Sequence, residues 1–308
     1  MKIGDIETKN NIFLAPMAGY TDVAFRHLCK KFGAGLTTTE MVSAKGLIYD
    51  SEKTKWLLHT SPLEDIKVVQ LFGHEPEVLF SAIQNNVLDD FDIIDLNMGC
   101  PAPKIIKNGE GSFLMKNPDL AYEIVRASCS ATKRPITVKM RLGYDEDNSV
   151  LFAKTIEKAG ASAITVHGRL KTQGYSGKAD YEKIAKVKNA VNIPVVANGD
   201  VVDKNSYDEI LKITGADAVM IGRASVGNPH IFAEIQNLDI PFDKFECIEE
   251  QFEILLKYYD EHFVVTNMRK QIAQYLKGLN LSSQDKLAVL SEEKSQNVLN
   301  LLQKYFKK

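Results

Sequence analysis

Phe91-Asp92-Ile93-Ile94-Asp95-Leu96, running on into Asn97-Met98-Gly99-Cys100-Pro101-Ala102-Pro103-Lys104, is the stretch that decides the fold. Its first half is a short apolar run of the kind that forms a parallel strand buried on both faces. Its second half carries a glycine and two prolines, which stop the strand and impose an irregular loop. The loop continues to Gly109-Glu110-Gly111-Ser112. A cysteine therefore stands at the C-terminal end of a strand, where barrels of parallel strands assemble their chemistry.

Seven further runs share this character, at 12–18, 36–41, 68–73, 136–142, 163–168, 195–199 and 218–222. Helical patterns lie between them at 22–32, 76–86, 118–130, 149–159, 181–190 and 204–214. Pro76 and Pro118 suit the first turn of a helix. Gly160 and Gly215 read as helix stops leading into the next strand. Eight strand–helix units predict an α/β fold, a closed (β/α)8 TIM barrel. An open doubly wound sheet would carry a glycine-rich turn after its first strand, and Ala15-Pro16-Met17-Ala18-Gly19 lacks that fingerprint. The alternation stops near Ile235, and 239–245 reads as a linker. Helices alone are predicted beyond it, at 249–262, 266–278 and 291–306. The division is thus a barrel domain over 1–238 and an all-helical domain over 239–308.

With 308 residues and 44% hydrophobic content, the chain can bury a sizeable core without staples. Its four cysteines, Cys29, Cys100, Cys129 and Cys247, form no CxxC pair, which argues against a zinc site or a thioredoxin-type centre. Scattered cysteines, a polar N-terminus and the lack of a long apolar run predict a cytoplasmic protein with no membrane contact. No metal site and no obligate protein partner are expected. The net charge of −2 means that any RNA binding must use a local basic surface. Residues 240–308 have zero formal charge, yet Arg269-Lys270, Lys277, and Lys304 with Lys307-Lys308 form local basic groups.

Polar residues gather at the predicted strand ends: Gln70, Asn97, Cys100, Lys139, Arg141, His167, Arg169, Asn198-Gly199-Asp200 and Gly222-Arg223. Loops after the seventh and eighth strands of such barrels commonly hold a phosphate. Gly199 and Gly222 permit close backbone approach there, and Arg223 can pair with the anion. Lys139 in an apolar strand is costly unless it serves a site or an ion pair. Lys139 and His167 can bias the electronics of a bound ring system such as a flavin. Arg141 and Arg169 also suit structural salt bridges, and Arg269-Lys270 also suits a solvated helix face. Tyr258-Tyr259 and Phe263, at helical spacing, read as core. Trp56 carries no reading by itself.

Taken in order, APMAG, VQLFG, LNMGCP, VKMR, TVHGR, ANGD and IGRA resemble the motif series of the tRNA-dihydrouridine synthases, over roughly residues 12–236. The spacing is most similar to the bacterial B-type branch. The resemblance implies FMN as bound cofactor, NADPH as reductant and tRNA uridine as substrate. It implies that Pro16, Met17, Ala18, Gln70, Lys139, His167, Asn198, Gly199, Asp200, Gly222 and Arg223 hold FMN. Asn97, Arg141 and Arg169 would face the uridine, and Arg269 and Lys270 the tRNA. Cys100 would give a proton to C5 while hydride reaches C6. A flavin barrel acting on a free small molecule, or an inert barrel serving RNA binding, are the competing functions.

Overall fold

The computed structural model describes residues 1–306, so Lys307 and Lys308 of the basic group lie outside the described residues. Eight parallel strands form one sheet: β1 (Ile12–Leu14), β2 (Thr37–Ser43), β3 (Lys67–Phe72), β4 (Ile93–Met98), β5 (Ile136–Gly143), β6 (Ala163–Leu170), β7 (Val195–Asn198) and β8 (Ala218–Ile221). Their order is β1-β8-β7-β6-β5-β4-β3-β2. The sheet closes where Phe13 pairs with Leu36 and the Leu14 N–H donates to the Leu36 carbonyl at 2.9 Å. The predicted TIM barrel is therefore the observed fold. β1 ends at Leu14, short of the predicted 18, because the chain turns after Pro16. The Met17 N–H is taken by Thr21 Oγ1 at 3.0 Å.

Side chains alternate across the sheet, so each strand sends every second residue inward. Ile94, Leu96 and Met98 of β4 face the helices, while Ile93 joins the barrel interior with Phe13, Val68, Ala163, Val196 and Met220. Above that apolar layer, register brings Asp95 beside Thr137, Asn97 beside Lys139, Arg141 beside His167, and His167 beside Asn198. Ile3, on a two-stranded hairpin (Lys2–Ile3 with Ile6–Glu7) that the sequence reading missed, belongs to the interior cluster.

The helices after successive strands are α1 (Val23–Lys31), α2 (Pro76–Ile83), α3 (Pro118–Ala131), α4 (Ser149–Ala159), α5 (Tyr181–Lys188), α6 (Lys204–Thr214) and α7 (Ile231–Gln236). Between β2 and β3 the connection is made by two short helices, Ala44–Ile48 and Glu52–Lys55. The expected stops hold: α4 and α6 end in left-handed Gly160 and Gly215.

Four helices follow the barrel: α8 (Lys244–Leu255), α9 (Glu261–Tyr275), α10 (Ser283–Ser291) and α11 (Ser295–Phe306). Three were expected. α8 starts earlier because Asp243 caps it, accepting from Phe245 and Glu246. The overlooked α10 starts at a Ser282/Asp285 capping box. These helices share the barrel's outer core, and polar links bind them to α1. Gln251 donates to Gln271 at 2.6 Å, and Gln271 donates to Asp22, the N-cap of α1, at 2.9 Å. Among the described residues no helix is long and apolar enough to cross a membrane, and no group of side chains could hold a metal ion.

Candidate active site

The C-terminal ends of the strands surround a cavity of about 900 Å³. Pro16, Met17, Ala18, Gln70, Asn97, Cys100, Lys139, Arg141, His167, Asn198, Gly199, Asp200, Gly222 and Arg223 all line it. Inward alternation places Gln70, Asn97, Lys139, Arg141, His167 and Asn198 there, and the others stand on the loops that follow the strands.

On the β3–β5 side the polar groups form one chain. Thr137 Oγ1 donates to Asp95 at 2.6 Å, Gln70 donates to Asp95 at 2.7 Å, and Asn97 donates to Gln70 Oε1 at 2.8 Å. Asn97 Oδ1 then accepts the Cys100 N–H at 2.9 Å and the Gly99 N–H at 3.2 Å. The Cys100 carbonyl is held from the other side by the Ser112 N–H and hydroxyl, at 3.0 and 2.9 Å. Arg141 Nε donates to the Gly99 carbonyl at 2.9 Å. The cysteine backbone is thus fixed from three directions. Burial, the largest influence, pushes the half-buried Cys100 thiol above its ordinary value and keeps it protonated at neutral pH.

Lys139 is held down to about 8, by burial first and then by the Arg141 charge. Its ammonium has three N–H donors and a hydrogen bond to Asn198 Oδ1 at 3.2 Å. His167 is pushed down to about 2 by burial, with Lys139, Arg141, Arg169 and Arg223 adding to the effect. It is therefore neutral. Arg169 NH1 lies 3.3 Å from His167 Nε2, and a guanidinium only donates, so the imidazole proton sits on Nδ1.

Arg169 was expected against the substrate; it is instead 1% exposed and does not line the cavity. Its NH2 meets both Asp200 oxygens, at 2.8 and 2.7 Å, and the Gly177 carbonyl at 2.6 Å. The Asp200 carboxylate also takes the Ala179 N–H at 2.8 Å, and Arg223 NH2 lies 3.3 Å away. Burial opposes this carboxylate's charge, but those donors outweigh it and hold Asp200 below its ordinary value. Arg169 and Asp200 thereby tie the loops after β6, β7 and β8 together. Arg269 likewise misses the cavity, its NH2 donating to the Glu292 carbonyl at 3.2 Å. Lys270 does not line the cavity either; its Nζ donates to Asn267 at 2.7 Å and stands 5.5 Å from the ring centre of Tyr20, which does.

Among the lining residues that escaped the sequence reading as site residues are Tyr20, Tyr175, Gln274 and Lys277. Tyr175 stands between Gly174 and Gly177 in the loop after β6, 4.6 Å from the Arg223 guanidinium and 5.8 Å from that of Arg141. Lys270 and Gln274 are four residues apart on α9, and Lys277 lies two residues beyond its end.

The family model described as dihydrouridine synthase matches residues 13–308, extending the resemblance through the C-terminal helices. A probable tRNA-dihydrouridine synthase of Rickettsia conorii is 41% identical over 303 residues, covering 94% of this chain and 91% of that protein. The tRNA-dihydrouridine synthase B of Shewanella oneidensis is 40% identical over 287 residues, covering 90% and 89%. That of Vibrio vulnificus is 37% identical over 317 residues, covering 99% and 98%. A solved structure of a variant of NCR from Zymomonas mobilis shares the fold, with TM-score 0.56 at 16% identity, covering 80% of this chain and 93% of that one. With a family match over nearly its whole length and B-type relatives at about this identity, the chain belongs to the dihydrouridine synthase family, in its B-type bacterial branch.

Proposed function

We propose that the chain reduces uridine in tRNA to 5,6-dihydrouridine, with FMN bound in the barrel cavity and NADPH as reductant. The observation that carries the reading is the fixed, protonated Cys100 at the mouth of a cavity whose other wall is Lys139, His167 and Asn198.

The residues present fit a flavin phosphate and ring. Gly199 lines the cavity, where a phosphate would approach its backbone; its φ of +140, and the 2.6 Å that would separate a β-carbon there from Ala179 Cβ, tie glycine to this position through the protein's own packing. Gly222 and the exposed Arg223 complete that cradle. Lys139, with one acceptor for three donors, is short of partners in a way that a flavin edge would satisfy. The His167 Nδ1–H supplies a neutral donor. Gln70, Pro16, Met17 and Ala18 line the rest. When bound, the flavin supplies the hydride that reaches C6 of the pyrimidine.

Cys100 Sγ gives its proton to C5 and regains one from solvent. Asn97 holds the Cys100 loop and faces the base. Arg141 spends Nε and NH1 on the Gly99, Leu170 and Gly174 carbonyls, leaving NH2 for the substrate. Arg169 acts through Asp200, as a positioning residue. The helices of 239–308 form the tRNA-binding domain, with Lys277 lining the cavity and Lys270 beside Tyr20. The target base must leave the RNA stack to reach the barrel, as base-directed enzymes require.

A free-pyrimidine reductase would share the flavin residues but has no use for Lys270 and Lys277. The distinguishing experiment compares unmodified tRNA with free uridine and orotate. Only tRNA should be reduced, with KM rising steeply between 50 and 200 mM salt on the order of counterion release. Salt-insensitive reduction of free pyrimidine would overturn the reading.

Lys139 gives a pH test. Its folded value is depressed from 10.5 to about 8, so between those values the unfolded chain holds a proton that the folded chain lacks. The apoprotein should therefore gain stability as pH rises through that window. FMN binding favours the charged lysine, so FMN affinity should be level well below pH 8. Above it, affinity should fall by up to about tenfold per pH unit, the limit for one linked proton. Quenching of FMN fluorescence by apoprotein between pH 6 and 9.5 reads this. Lys139→Met should lose the slope, and retention of the slope would remove Lys139 from the linkage.

A further inference from the structure

Beside the main cavity, across the Gly19–Tyr20 segment, lies a second one of about 360 Å³. Trp56, from the β2–β3 connection, Tyr259, just before α9, and Phe263, in its first turn, form an aromatic wall. The Trp56 ring centre lies 5.5 Å from that of Phe263 and 5.8 Å from that of Tyr259. Phe263 is 36% exposed, so the wall is open to a ligand.

Among the polar residues lining it, Asp22 and Glu40 present carboxylate acceptors, while Thr21 and Arg26 are already hydrogen-bonded and Lys53 and Asn267 stand toward the open side. Asp22 is buried, accepting from Phe25 and Gln271. Glu40 Oε2 accepts the Gly19 N–H, and Oε1 has no hydrogen-bond partner among the described residues. The Arg26 nitrogens are committed to Glu64 and to the Thr21 and His59 carbonyls. A ligand with a flat π-face and N–H donors suits the aromatic wall and the Glu40 carboxylate.

Among the nucleobases guanine alone sets two donors, N1–H and the 2-amino group, side by side on one edge, the pair a carboxylate accepts. Adenine and cytosine place an acceptor nitrogen beside the amino group. Lys270 Nζ stands over the wall between the cavities: a β-carbon on Gly19 would lie 2.5 Å from it. A phosphate joining bases in the two cavities would pass this ammonium.

We propose that the second cavity takes a guanine of the RNA substrate near the uridine being reduced. The proposal rests on RNA being the substrate. Trp56 is the chain's single tryptophan, so its emission reports on this wall. FMN-loaded protein is titrated with GMP, AMP, CMP and UMP. GMP should quench at the lowest concentration, and Glu40→Gln should weaken it at least tenfold. In steady-state assays with tRNA, Phe263→Ala should raise KM about tenfold, the scale of one lost base stack, with kcat within about twofold. FMN content equal to the wild type establishes that both variants fold. Equal quenching by all four nucleotides, no quenching, or a wild-type KM in both variants overturns the proposal. Absence of dihydrouridine formation by the wild-type protein is a separate result: it removes the tRNA reading, whatever GMP does.

Discussion

Cys100→Ala should lower tRNA uridine reduction by about 10²–10⁴-fold, the usual loss when a positioned general acid is removed. FMN content and tRNA affinity should be unchanged. The size of the effect follows from how much of the structure serves that thiol. Asn97, Ser112 and Arg141 hold its backbone, and burial keeps it protonated. The variant keeps all those backbone bonds, so it isolates the proton itself. Cys100→Ser should recover little, because a hydroxyl is a far weaker acid than a thiol. Single-turnover mixing of NADPH-reduced holoenzyme with tRNA is the measurement. A near-normal rate in Cys100→Ala would take the proton donation away from Cys100.

Arg26→Met should destabilise the folded chain by about 3–5 kcal/mol, the cost of leaving a buried ion-pair partner uncompensated. Arg26 and Glu64 are 1% and 4% exposed, with Nε 2.7 Å from Oε1. Arg26 also donates to the Thr21 and His59 carbonyls, both at 2.6 Å. Glu64 further accepts from Thr37 Oγ1 at 2.9 Å and the Ser61 N–H at 2.7 Å. One pair thus joins α1, β2 and the segment entering β3. Adding Glu64→Gln removes the stranded charge, so the double variant should be more stable than Arg26→Met alone. Urea unfolding of the set measures this. A loss below about 1 kcal/mol in Arg26→Met would show that water reaches the pair, as at a surface bridge.

Much of this architecture is legible in the chain because a buried parallel strand leaves a plain mark. Ile93 to Met98 is buried throughout, and its polar members, Asp95 and Asn97, fall on alternate positions that face the barrel interior. The same alternation marks Lys139 and Arg141, and His167 and Arg169. It does not separate their fates. Arg141 lines the cavity while Arg169 is locked behind it, because Asp200, thirty-one residues further on, supplies the pairing carboxylate. Such a long-range partner leaves no local signal. Tyr175 escaped for the opposite reason: it belongs to a loop without periodicity. Trp56, Tyr259 and Phe263 are distant in sequence, and only the docking of α9 on the barrel makes them one wall. Helix α10 was a missed reading, since Ser282 and Asp285 already spell its capping box.

Uridine reduction in tRNA is tested most directly by nucleoside mass spectrometry of unmodified tRNA after incubation with the protein, FMN and NADPH. A nucleoside about two mass units heavier than uridine is expected, formed in the wild-type reaction and almost absent with Cys100→Ala. NADPH oxidation through the bound flavin without that nucleoside, on folded tRNA both unmodified and carrying its other modifications, would contradict it.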